Sequence, residues 1–265
     1  MNKTMVFFDC WDTLIRFQEK DERWTVLPLY DHCINKDEVD WDKVYAFALE
    51  FADKYYASHS LYEITSYAFF KLVITLFSIK LDCPIEVADS ETLHYLCPRP
   101  VDGIDDFLTF LEKNQIRYAC LSNTIYTEAD TRKEILSQIK GHHFEFVLAS
   151  SDIAVKKPNP YFFLSGLKIA NVKPENAIYI GDAYLQDAFG SFNAGFKKSY
   201  WLNYKNNKPY ILPEFPARKE RKFMEVKSYD EIKQDLIKEL GIENDPILST
   251  SFRRAKRIPE AGVES

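Results

Sequence analysis

Glycine is scarce in this chain, 8 among 265 residues. A collagen-like repeat is excluded on that count alone. Any function built on glycine loops has few positions to use, so the placement of those eight is informative. Cysteine is sparse as well: Cys10, Cys33, Cys83, Cys97 and Cys120 are odd in number, widely spaced and contain no C-x-x-C pair. This excludes a disulfide miniprotein and argues against a cysteine metal framework, leaving reduced thiols of a cytoplasmic protein as the expectation. Long hydrophobic runs are missing too. The most apolar stretch, residues 67–79, is broken by Lys71 and is too short to span a bilayer. The opening MNKTMVFFDCWDTL meets charge at Asp9 and Asp12 before a signal-peptide core could form. No membrane association is expected. The net charge of −6 lacks the basic excess of a nucleic-acid binder, and no such partner is expected either.

What is present is apolar and periodic. Hydrophobic residues make up 46% of the chain, which excludes disorder throughout. Residues 4–9 are an apolar, β-forming run that ends abruptly at Asp9, the pattern of a buried strand with a carboxylate at its tip. Residues 116–121, 144–149, 177–180 and 198–202 resemble it, and helical patterns lie between them. Strands alternating with helices predict a doubly wound α/β domain with a parallel, Rossmann-like sheet, whose ligands bind beyond the carboxyl ends of the strands. Residues 17–99 break the alternation: Val44, Phe47, Ala48, Phe51 and Tyr55 form a helical stripe, and 62–80 and 86–96 give two more helices. The expected organisation is a core from 1–16 and 100–240, an inserted all-helical domain at 17–99, and a tail at 241–265 carrying Arg253, Arg254, Lys256 and Arg257. Further elements are expected at 223–227 (strand) and 229–240 (amphipathic helix), after a loop at 203–216.

Four strand ends carry reactive side chains. They are Asp9 to Leu14, Leu121-Ser122-Asn123-Thr124, Lys156-Lys157-Pro158-Asn159-Pro160, and Ile180-Gly181-Asp182 through Asp187. Singly each has a bland explanation as a helix cap, a turn or a loop start. Together they bring several carboxylates, a hydroxyl and a lysine to one edge of one sheet. Carboxylates so gathered repel one another unless a hard divalent cation such as Mg²⁺ joins them. A carboxylate can also act as nucleophile, while a lysine and a hydroxyl neutralise and hold phosphoryl oxygens.

The order and identity of these residues resemble the haloacid dehalogenase-like hydrolase superfamily. The motifs that match are Asp9 and Thr13, then Ser122, then Lys157, then the Asp182/Asp187 pair, over about residues 4–202. Residues 99–103 (RPVDG) resemble the family's return from the helical cap into the core. The resemblance implies a phosphatase acting on a phosphorylated small molecule, with Asp9 attacking phosphorus. It implies Mg²⁺ held by Asp9, Asp182, Asp187 and the backbone carbonyl of Trp11. Thr13, Ser122 and Asn123 would contact the phosphoryl group, and Lys157 would bridge it to Asp9. Lys157 is preferred over Lys156, which is read as a surface lysine, because the family lysine precedes Pro-x-Pro.

One position departs from the family's phosphatases. The second aspartate of D-x-D falls at Trp11, whose indole cannot exchange protons at neutral pH, and Asp12 follows it. If the strand stays extended, Asp12 points away from Asp9; if the chain bends, Asp12 can serve as the general acid and base. Two alternatives stay open: a metal-independent dehalogenase-like hydrolase, and a catalytically weak protein that binds a phospho-ligand or a partner. Cys10 is read as packing, His142 and His143 as surface residues rather than metal ligands, Lys54 as lacking chemical support, and Asp152 as a loop cap.

Overall fold

Met5 to Phe8 are four consecutive buried apolar residues, as a strand covered on both faces requires. They form β1 (Met5–Phe8) in a computed structural model that describes residues 4–17, 22–57, 60–207 and 222–242. Seven strands follow: β2 (Ile15–Arg16), β3 (Arg99–Pro100), β4 (Arg117–Ser122), β5 (Val147–Ala149), β6 (Ala177–Gly181), β7 (Lys198–Leu202) and β8 (Lys222–Val226). Six make one sheet in the order β5-β4-β1-β6-β7-β8, and every neighbouring pair in it is parallel. The chain winds one way from β1 through β4 and β5, then returns to build outward from β6. The switch point where a ligand crevice opens therefore lies between β1 and β6.

The helices are α1 (Leu27–Asp31), α2 (Trp41–Ala57), α3 (Ser66–Phe77), α4 (Ile85–Glu91), α5 (Ile104–Lys113), α6 (Glu128–Gln138), α7 (Ser150–Ile153), α8 (Pro160–Ala170), α9 (Gly190–Ala194) and α10 (Tyr229–Leu240). Strand alternation sorts the core. Val6, Phe8, Tyr118, Ile178 and Tyr200 pack under α5 and α10 on one face, while Met5, Phe7, Leu121 and Tyr179 meet Phe162, Phe163 and Leu167 of α8 on the other. Caps fix where helices begin. Ser228 Oγ accepts the Glu231 N–H at the start of α10, and Asn159 Oδ1 accepts the Tyr161 N–H beside Pro160 at the start of α8.

Helices α1–α4 form an insert with its own apolar cluster, in which Val44, Ala48, Phe69, Phe70 and Val73 are buried. Its ends meet through β2 and β3, which pair antiparallel at Ile15↔Pro100 and Arg16↔Arg99. A second strip joins insert to core: Lys156 N–H to Leu61 O at 3.1 Å, Glu63 N–H to Ala154 O at 3.2 Å, and Ser66 N–H to Ile125 O at 2.9 Å. No helix among the described residues is long and apolar enough to cross a membrane.

The expected strand at 144–149 is shorter than its apolar run. Residues 145 and 146 still exchange backbone hydrogen bonds with Tyr118 and Cys120, but regular pairing starts at Val147. Helix α1, with Pro28 in its first turn, had no apolar period to announce it. The basic tail from 249 and most of the loop at 203–216 lie outside the described residues. Phe107 of α5 packs against Phe8, Phe110 and Tyr229 and is fully buried. Phe107→Ala is expected to destabilise the protein by about 3–5 kcal/mol. A urea midpoint within error of wild type would contradict this account of the core.

Candidate active site

Asp9 leaves β1 with its N–H still bonded to Ile180 O at 2.9 Å, so its carboxyl stands between the tips of β1 and β6. Lys157 reaches it from the loop ahead of α8. The Lys157 Nζ lies 2.5 Å from Asp9 Oδ1, 2.7 Å from Asp187 Oδ1 and 2.9 Å from the Tyr179 hydroxyl. The lysine loop is itself clamped: Asn123 Oδ1 accepts the Lys157 N–H at 2.8 Å and Asn123 Nδ2 donates to Lys157 O at 3.0 Å. Asp187 Oδ2 accepts the Ala183 N–H at 3.0 Å within a π-helical turn over Tyr184–Phe189. Gly181 makes that turn possible, because a Cβ there would stand 2.4 Å from Asp187 Cγ.

Oxygens of Asp9, Asp182 and Asp187 lie within 4.8 Å of one another. Lys157 compensates two of these carboxylates; Asp182 enters no ion pair among the described residues. Burial pushes Asp9 up to about 7 although Lys157 pulls it down, and Asp187 adds to the rise. Burial followed by repulsion from Asp9, Asp187 and Asp12 pushes Asp182 up to about 8. Burial opposes the Lys157 ammonium, but Asp187 and Asp9 outweigh it and hold its pKa above the ordinary value. A trio of hard oxygen donors with unbalanced negative charge fits Mg²⁺.

Other expected site residues fall in different places. Thr13, expected at the phosphoryl group, is fully buried: its Oγ1 accepts the Asp182 N–H at 3.1 Å and its carbonyl accepts the Tyr229 hydroxyl at 2.8 Å. It steadies the acidic strand end. Asn123 borders the cavity, yet its amide is spent on the Lys157 backbone rather than directed at a substrate. Ser122 Oγ is buried and has no hydrogen-bond partner among the described residues. Trp11 lines the cavity and stacks on Phe17, with centroids 4.4 Å apart.

Asp12 turns into the same cavity as Asp9. The chain bends sharply, Leu14 N–H to Cys10 O at 2.8 Å and Asp12 N–H to Ile15 O at 2.7 Å, with Asp12 left-handed at φ 59°. Its carboxylate is held by Lys205 Nζ at 2.7 Å and by the Tyr204 hydroxyl at 3.4 Å.

The cavity, about 460 Å³, lies between this edge and the insert, which contributes Ser60, Leu61 and Glu63. Lys156, read as a surface lysine, is instead buried in its wall. Its ammonium rests 3.8 Å from the Tyr55 ring centroid and 3.9 Å from Glu63 Oε1, and burial lowers its pKa. Glu63 in turn accepts from the Tyr55 hydroxyl, the Ile64 N–H at 3.2 Å and Ser150 Oγ at 2.7 Å. Sequence reading missed Glu63 altogether, since Ser150 and Lys156, which tie it to the core, lie about ninety residues away.

The discounted residues divide. Cys10 is buried in the core and burial pushes its thiol up. Asp152 Oδ2 accepts the Glu128 N–H at 2.9 Å at the start of α6. Lys54 pairs with Glu50 on the exposed side of α2. His142 corrects the surface reading: it is buried, with each ring nitrogen 3.1 Å from a carboxylate, Glu112 or Asp105.

An acidic centre at the switch point of a doubly wound sheet, with a helical insert beside it, defines a two-part α/β architecture. The chain belongs to the haloacid dehalogenase-like hydrolase family, whose profile matches residues 4–195. It is 39% identical over 82 residues to a glyceraldehyde 3-phosphate phosphatase of Pyrococcus furiosus, a stretch covering 28% of this chain and 34% of that protein. The chain thus spans about a third of that relative's length. The crystal structure of an HAD phosphatase from Thermococcus onnurineus matches with a TM-score of 0.58 at 19% identity, over 88% of this chain and 97% of that one. A 2-haloacid dehalogenase from Pseudomonas syringae gives 0.56 at 17% identity, over 89% and 98%. At these identities the structural likeness is one of fold.

The raised carboxyls set a pH dependence. Without metal, folded Asp9 and Asp182 hold protons that the unfolded chain, with carboxyls near 3.8, releases between their unfolded and folded pKa values. The folded state binds more protons there, so stability falls as pH rises through that window. In EDTA, Asp182→Asn is expected to melt above wild type at about pH 8 and to show a flatter slope from about pH 5. Identical slopes in the two proteins would refute this electrostatic reading.

Proposed function

We propose that the chain is a Mg²⁺-dependent phosphatase of small phosphorylated metabolites, working through a phosphoryl-aspartate on Asp9. The observation that carries this reading is the contact of Lys157 Nζ with Asp9 Oδ1, which holds a carboxyl that borders the cavity in place. The metal would be held by Asp9, Asp182 and Asp187 with the Trp11 carbonyl, and when bound it supplies charge neutralisation at the phosphoryl oxygens.

The Asp9 carboxylate attacks phosphorus, the bond to the alcohol oxygen breaks, and that oxygen takes a proton from Asp12. Asp12 then accepts a proton from the water that attacks the phosphoryl-aspartate, releasing inorganic phosphate and restoring Asp9. Lys157 holds Asp9 in position and offers positive charge to the phosphoryl group. Ser122 takes the phosphoryl-binding role on the family resemblance; its Oγ is unpartnered among the described residues but buried, and Ser122 is not among the residues that line the cavity. Asp12 takes the acid–base role because it borders the same cavity as Asp9 and Trp11 cannot exchange a proton.

Phosphate release from small alkyl esters is expected with Mg²⁺ and not with EDTA, and Asp9→Asn should abolish both turnover and the covalent phosphate seen by mass spectrometry. Turnover unaffected by EDTA would reject the metal-dependent reading. Halide displacement from 2-haloacids in EDTA would favour the dehalogenase-like one, to which Trp11 lends its support. Separately, Asp12→Asn is expected to slow alkyl ester hydrolysis by about 10²–10⁴-fold and acetyl phosphate far less, since an acyl phosphate needs no acid. Equal losses on both substrates would exclude Asp12 as the proton donor.

A further inference from the structure

The insert and the loop after β4 line a second cavity, about 390 Å³, within the range of about 300–1,000 Å³ typical of small-molecule sites. Leu49, Phe51, Phe69 and Phe70 line it from the insert, with Ile125 and Tyr126 from the loop after β4, and none of its lining residues is charged. One polar group in its wall stands out. Thr92 Oγ1 is buried and has no hydrogen-bond partner among the described residues.

This cavity adjoins the catalytic one. Ile125 lines both, and Tyr55 of the apolar cavity touches Glu63 and Lys156 of the catalytic one through its hydroxyl and its ring. Trp11 lines the catalytic cavity and packs in a small apolar cluster with Ile125, Tyr126, Leu93 and Phe17. The residue at the position of the missing carboxylate therefore belongs to the apolar wall that continues into the insert.

We infer that the insert cavity is the subsite for the alcohol portion of the substrate, and that this alcohol is an uncharged, ring-sized apolar group with one hydrogen-bonding atom for Thr92. The inference rests on the phosphatase reading above and narrows its substrate class. A compact, doubly charged ester finds no counter-charge among these walls, whereas an aromatic or branched body buries its surface there. Trp11 fits the same scheme, because a carboxylate at 11 would present charge to an apolar substrate body.

Ethyl phosphate and 2-phenylethyl phosphate separate this from simple leaving-group chemistry, since both are primary alkyl esters. With Mg²⁺, the phenylethyl ester is expected to show kcat/KM higher by about 10- to 100-fold, mainly through a lower KM. Ala52 lines the cavity, and Ala52→Phe fills it, so the ratio between the esters should collapse towards one. A measurement on wild type guards against misfolding of that variant: free 2-phenylethanol should raise Tm and compete with the phenylethyl ester. Equal kcat/KM for the two esters, or binding of 2-phenylethanol without competition, would overturn the assignment. If neither ester releases phosphate, the hydrolase reading fails by itself. The cavity is then judged by the alcohol, whose failure to shift Tm overturns the site and whose binding upholds it.

Discussion

The grip of one buried ammonium on two carboxylates underlies the rest of the sheet edge. Asp9, Asp182 and Asp187 come from two different strand ends and would drive one another apart at the distances observed. Lys157 reconciles two of them, and the clamp from Asn123 on its backbone fixes where its side chain starts. Breaking a buried ion pair by removing one partner typically costs about 3–5 kcal/mol, so the residues around Lys157 are a structural unit as well as a chemical one. Asp182 stands outside that compensation: burial and the neighbouring carboxylates push it up to about 8, and a cation suits the site.

Much of this was legible in the primary sequence. An apolar run ending at a carboxylate predicts a buried strand with an acid at its tip, and β1 with Asp9 and β6 with Asp182 follow that rule. Lys157-Pro158-Asn159-Pro160 was legible as the loop that carries the lysine, though not as the cap and first turn of α8 that Asn159 and Pro160 also supply. What escaped was the direction of side chains beyond the strand ends. Lys156 and Lys157 are neighbours in sequence, yet one turns to Asp9 and the other to Tyr55 and Glu63 of the insert. Period and propensity carry no information about a partner that lies about ninety residues away.

Thr13, Asn123 and Asp12 teach a related lesson. A motif names residue types, but a threonine hydroxyl or an asparagine amide serves as readily to brace a backbone as to meet a ligand, and here both brace. Alternation would have sent Asp12 to the far face of the sheet. It failed because alternation holds only while the chain is extended, and the tight turn after Cys10, with Asp12 left-handed, ends that condition. His142 is the converse case: a histidine after a glycine reads as a turn, yet two carboxylates on α5 supply the partners that let it be buried.

The strip of backbone hydrogen bonds between residues 61–66 and the loops at 125 and 154–156 has a mechanical meaning. The peptide segment on which the insert rests runs directly into Lys156 and Lys157. Lifting the insert from the sheet edge must break Lys156 N–H to Leu61 O and Glu63 N–H to Ala154 O, both within three residues of the lysine bonded to Asp9. Access to the cavity and the seating of the Lys157 ammonium are thus geared together: opening the one loosens the mount of the other.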